Sequence, residues 1–246
     1  MLWDASVMKG YAIEANDGRL GTVSDFLFED TAWMVRWLIV DTGHWLPGRK
    51  VLLPPSVLGH PDRQSRRCPV ELTMRQVRDS PVIDTDRPVS RQIESYVHEY
   101  YGWSPYWLNT VAAPVVAPVD PLRSLSLELI RVRPQSEHGN PHLRSVAVVT
   151  GYHIHATDGE IGHLEDFLLD EADWSIPYLV VDPRNWWPGG HILMSPRTVR
   201  EIEWVDRSIQ LSISRQQVKA GPAYDPSKIP DRANESLILK HYRRDV

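Results

Sequence analysis

Residues 10–58 return as residues 151–199 at one constant offset of 141 positions, without a gap. The first copy runs from Gly10-Tyr11 and Ile13 through Asp17-Gly18, Gly21, Asp25-Phe26-Leu27, Trp33, Val40-Asp41, Trp45 and Pro47-Gly48. The second carries Gly151-Tyr152, Ile154, Asp158-Gly159, Gly162, Asp166-Phe167-Leu168, Trp174, Val181-Asp182, Trp186 and Pro188-Gly189. A repeat of this length makes the chain two copies of one small unit, and every later inference has to fit both. The offset continues to Gln76-Val77/Gln217-Val218, Asp84/Asp225 and the cap positions Ser90/Asp231. The expected division is therefore residues 1–102, a connector over 103–142, and residues 143–246.

The repeated unit reads as short strands. Asp17-Gly18 and Asp158-Gly159 sit between β-compatible runs, a strong signal for a two-residue hairpin loop. Trp37-Leu38-Ile39-Val40 is continuously apolar, which predicts a strand covered on both faces. Further strands are expected at Lys50 to Leu53 and Pro69 to Thr73. Ser90 to Tyr101 has a helical period ending at Gly102. Ala112 to Pro121 carries too many prolines for a continuous helix. The fold class is mainly β: two tandem small barrels, each followed by a short C-terminal helix.

Composition excludes several classes. Net charge is −5, so no strongly basic face announces nucleic acid. No window approaches the ~20 apolar residues that a membrane helix needs, and no secretory leader is visible at the N-terminus. The one cysteine, Cys68, fits a reducing compartment and reads as a buried small hydrophobe. The expected location is cytoplasmic.

The pattern Gly-Tyr-x-Ile, Asp-Gly-x-Ile/Leu-Gly, Asp-Phe, an apolar strand ending in Val-Asp and then Trp-x-Pro-Gly resembles the PRC-barrel family. It stands in the second copy as Gly151-Tyr152-His153-Ile154, Asp158-Gly159-Glu160-Ile161-Gly162, Tyr178 to Asp182 and Trp186-Trp187-Pro188-Gly189. That family is named for the cytoplasmic domain of the photosynthetic reaction-centre H subunit. The resemblance implies a largely non-enzymatic protein that binds or organises a protein partner, at a membrane-associated complex or, more weakly, in ribosome assembly. It implies no cofactor and no catalytic residue. Packing between the two units is expected, and a homodimer is compatible with it.

Candidate site residues are few. Trp45, Trp186 and Trp187 lie in Pro-Gly loops and are candidates for partner binding, weighed against sealing their own barrel. His153 and His155 share a face of one strand, and His191 comes from a distant one; together they are the metal candidates, in an alternative reading as a metal- or small-ligand-binding protein. His163 falls on the opposite face unless a bulge near Gly162 reverses its phase. The carboxylates common to both copies, Asp25/Asp166 and Asp41/Asp182 among them, read as fold residues.

Overall fold

The computed structural model describes residues 1–81, 89, 91–108, 142–183, 190–221 and 223–225. Most of the connector and the second C-terminal helix expected near Asp231 lie outside these residues.

Each repeat begins with a short strand and one helical turn: β1 (Leu2–Asp4) and α1 (Ala5–Met8). Next come β2 (Ala12–Ala15), the long β3 (Gly18–Glu29), β4 (Met34–Asp41) and β5 (Lys50–Leu53). The repeat continues with β6 (Arg67–Pro69), α2 (Met74–Arg78) and α3 (Arg91–Tyr101). The second repeat supplies β7 (Leu143–Ser145), α4 (Val146–Val149), β8 (His153–Ala156), β9 (Gly159–Asp170), β10 (Tyr178–Asp182) and β11 (His191–Met194). It ends in β12 (Val199–Glu203), β13 (Ser208–Leu211), α5 (Arg215–Lys219) and β14 (Ala223–Tyr224). The chain is mainly β, in two sheets of order β5-β4-β3-β2-β6 and β12-β13-β8-β9-β10-β11-β14. Among the described residues neither ladder closes on itself.

The repeats are not strung side by side. β1 pairs antiparallel with β9 of the other repeat, Trp3 opposite Leu169, and β7 pairs with β3, Arg144 opposite Phe28. Each half thus donates its first strand to its neighbour's sheet, and the hydrogen-bonded sheets cross the division read from the sequence. A second reciprocal contact joins the segments before β4 and β10: the Val35 amide donates to the Trp174 carbonyl at 2.9 Å, and the Ile176 amide to that of Trp33 at 2.7 Å. These bonds hold Trp33 and Trp174 at φ 51° and 59°, a backbone region that bulky residues rarely enter.

Side chains complete the exchange. Asp166 accepts from the backbone amide and the hydroxyl of Ser6, while Asp25 accepts from the Ser145 hydroxyl at 2.5 Å and the Ala147 amide at 3.0 Å. Each buried carboxylate therefore ties down the helical turn that its partner repeat donates. Arg144 Nε reaches Asp30 at 2.5 Å, and at the equivalent place Trp3 Nε1 donates to Glu171 at 3.0 Å. Phe28 and Phe167 meet between the sheets with ring centroids 5.2 Å apart. Most buried apolar side chains form one cluster spanning both repeats, from Leu2 to Tyr224, so the repeats do not have a core each.

β4 is covered on both sides, as its unbroken apolar run predicts. Leu38 and Val40 enter the shared core, whereas Trp37 and Ile39 turn to a smaller cluster with Val97 of α3. Trp37 Nε1 donates to Glu94 of α3 at 3.0 Å, and the Tyr106 hydroxyl donates to the same carboxylate at 2.7 Å. Gly102 follows α3 at φ 68°, the left-handed stop its position predicts. The strand expected from Pro69 to Thr73 is displaced to Arg67–Pro69, running parallel to β2, because Thr73 turns away to cap α2.

Candidate functional site

The two copies of the sheet differ in polarity along one row of the second sheet, among other places. On β9, His163 lies opposite His153 of β8 and opposite Asp182 of β10; Val181 pairs with Ile192, which places Asp182 beside His191 of β11. Residues directly across a ladder share a face, so His153, His163, Asp182 and His191 form one row across four strands. The phase of His163 is set by a bulge between Ile154 and His155, which brings His163 to the face of His153. The two-residue hairpin count alone predicts the opposite face, and the irregularity corrects it.

A second bulge, between Val180 and Val181, leaves Glu165 as the extra residue on β9. Glu165 consequently reaches the same place: one ligand atom each from Glu165, Asp182 and His191 lie within 4.8 Å of one another. Among the described residues this is the one group of three or more such side chains. His163 Nε2 stands beside the group, 3.6 Å from Asp182 Oδ2. Asp182 is buried, whereas Glu165, His163 and His191 are partly exposed. Glu165 Oε2 and His191 Nε2 are in ion-pair contact, and both atoms are shut off from solvent without a hydrogen bond.

Of the histidines singled out from sequence, the structure brings only His191 into this group. His153 is exposed and its Nδ1 lies 2.9 Å from Glu160 Oε1. His155 sits on the same strand, beside Glu160 of β9 and Gln210 of β13. Glu165 is absent from the sequence-derived set, Asp182 reads there as a fold residue, and His163 is set aside unless a bulge near Gly162 reverses its phase, which the ladder irregularity does. Comparison of the copies carries the signal that finds them: the first repeat has Thr22, Ser24 and Lys50 where the second has His163, Glu165 and His191, around the common Asp41/Asp182.

Trp45 folds back: its Nε1 donates to the Leu20 carbonyl at 2.5 Å and its ring packs against the shared core. Trp186 and Trp187 lie outside the described residues. The exposed apolar tip instead belongs to the turn between β12 and β13, where Trp204 is 45% and Val205 95% exposed. Cys68 is fully buried, and burial pushes its thiol up to about 12, with the charge of Glu171 adding to the effect. Such a thiol stays protonated and is no nucleophile at neutral pH. No helix among the described residues is long and apolar enough to cross a membrane.

The chain is mainly β, in two sheets, and one of them carries a cluster of His, Asp and Glu side chains. The family model of the PRC-barrel domain matches residues 8–65, so a PRC-barrel domain is present, in the first repeat. No curated protein matches the chain.

Proposed function

We propose that the chain is a non-enzymatic binding protein, a cytoplasmic scaffold of two PRC-type units that presents a joint surface to a protein partner. Each sheet with its flanking turns is read as one PRC-type barrel, and the first is covered at β4 by α3. The observation that carries this reading is the fate of the carboxylates that the copies share. Asp25 and Asp166 bind the donated helical turns, and Asp30 and Glu171 bind the side chains of the donated strands. Acid–base catalysis at a duplicated site would need such groups turned toward a substrate; here they are spent on holding the halves together.

The partner surface is sought where the copies diverge. Trp204 and Val205 take the places of Arg63 and Gln64, and a large ring at an exposed turn can anchor an interface. A photo-crosslinking residue at position 205 of the full chain, exposed to lysate of the source cells, should capture one reproducible protein. Capture should disappear with Trp204→Ser and persist with Gln64→Ser. Labelling no stronger than that of a crosslinker on the far edge, or equal in both variants, would remove this surface from consideration. Sedimentation of the captured partner with ribosomes or with membranes then separates the two kinds of complex that the family resemblance suggests.

A further inference from the structure

We propose that Glu165, Asp182, His191 and His163 form a binding site for a divalent transition-metal ion of the zinc class, built on the second repeat alone. The row β9-β10-β11 sets His163, Asp182 and His191 on neighbouring strands at consecutive register positions. Adjacent strands are about 4.8 Å apart, so such side chains converge without any change of backbone. The bulge at Val180/Val181 then inserts Glu165 as a second carboxylate.

The chemistry of the set suits such an ion. Two imidazole nitrogens and two carboxylate oxygens are the ligand types that zinc-class ions accept, and two carboxylates balance a charge of two. Ligands around a tetrahedral ion stand roughly 3.4 Å apart when each bond is about 2.1 Å. The three closest atoms already lie within 4.8 Å of one another, and His163 Nε2 is 3.6 Å from Asp182 Oδ2, so the ligands are gathered before any ion binds. Glu165 Oε2 and His191 Nε2 meet as an ion pair in a place shut off from solvent. A cation bound between them would take the place of the imidazole proton in that contact.

The first repeat supplies the contrast. Lys50 stands opposite Asp41 in the ladder at the position of His191, so a cationic side chain replaces an imidazole ligand there. The site thus belongs to what distinguishes the copies, and it stands independently of the partner-binding reading.

Titration calorimetry and metal analysis of the tag-free full chain with Zn²⁺ test the proposal. One ion per chain is expected. Glu165→Gln and His191→Gln should each weaken binding at least as much as loss of an outer-shell partner does elsewhere, about 10- to 100-fold. His153→Ala and His155→Ala should leave it unchanged. Circular dichroism confirms that each variant is folded; Glu165→Gln, on a partly exposed side chain, is the decisive variant if His191→Gln is not. Conversely, the triple change Thr22→His, Ser24→Glu, Lys50→His should raise the stoichiometry to two. No stoichiometric binding by the parent chain, or binding that follows His153 and His155 instead of Glu165, would overturn the assignment.

Discussion

The guanidinium of Arg63 lies over the ring of Trp3, 4.0 Å from its centroid, and 141 positions later the pair recurs with its members exchanged: Arg144 lies over Trp204 at 4.7 Å. The same stacking is kept in both halves, although neither residue is. Trp3 and Arg144 are the middle residues of the exchanged strands, so this contact fastens each donated strand to its own repeat while its backbone pairs with the other. Trp3→Arg should destabilise the protein by about 3–5 kcal/mol, the usual cost of losing a buried tryptophan. Adding Arg63→Trp should recover about 1 kcal/mol of that, because the second half already accommodates the reversed pair. A urea double-mutant cycle reads the coupling; simple additivity would contradict it.

The exchange predicts a single unfolding transition. With one core and reciprocal strands, neither half has a complete sheet by itself. Thermal unfolding followed by near-ultraviolet dichroism and by scanning calorimetry should give coincident curves for the full chain. The isolated segment 1–108 should associate with itself or fail to fold, as judged by light scattering. A folded, monomeric segment would refute the structural role assigned to β7.

Two interface carboxylates should give stability opposite slopes with pH. Burial raises the Asp166 carboxyl above the usual carboxylate range, and the hydrogen bonds from Ser6 only partly offset this. The folded state then binds that proton more tightly than the unfolded one, so stability declines as pH rises from the ordinary aspartate value to the raised one. For Glu171, burial also opposes ionisation, but donation from Trp3 and His60 outweighs it and the carboxyl is lowered. Its contribution is complete above the ordinary glutamate value and is lost as pH falls through the lowered one. Asp166→Asn should therefore flatten the decline above the ordinary value, and Glu171→Gln the decline below it. Urea midpoints between about pH 3 and pH 8 distinguish these from the reverse assignment.

Gly162 sits where β9 crosses close to β10. A Cβ there would lie 2.1 Å from the Asp182 carbonyl oxygen, and at Gly21 one would lie 2.0 Å from that of Asp41. Either substitution by alanine should cost about 1–3 kcal/mol or more, since backbone must move in both cases. Gly162→Ala should in addition displace Asp182 and weaken Zn²⁺ binding, an effect Gly21→Ala should lack. Equal metal affinity in the two variants would break the link between this crossing and the site.

Much of the fold was legible because the offset of 141 doubles every signal: the hairpins and the two-faced burial of β4 follow from residues present twice. The capping boxes Thr73/Gln76 and Ser214/Gln217 also stood in the sequence and mark α2 and α5, yet the neighbouring apolar residues there read as strand. The strand exchange left almost no trace. Before Gly10 the copies share only Leu2/Leu143 and Val7/Val148, since a ladder is made by backbone groups that any side chain permits. The polar row was hidden for a different reason. Two bulges decide which side chains share a face, and period-two counting cannot register an inserted residue such as Glu165.

Reciprocal donation of β1 and β7 has the geometry of a swapped dimer written into one polypeptide. In two separate chains, such an exchange would depend on concentration, and both members would have to keep one sequence. Fusion replaces that dependence with a high effective concentration. It also releases the halves from identity, so that one may hold the architecture with Lys50 while the other acquires His191 at the same point of the sheet.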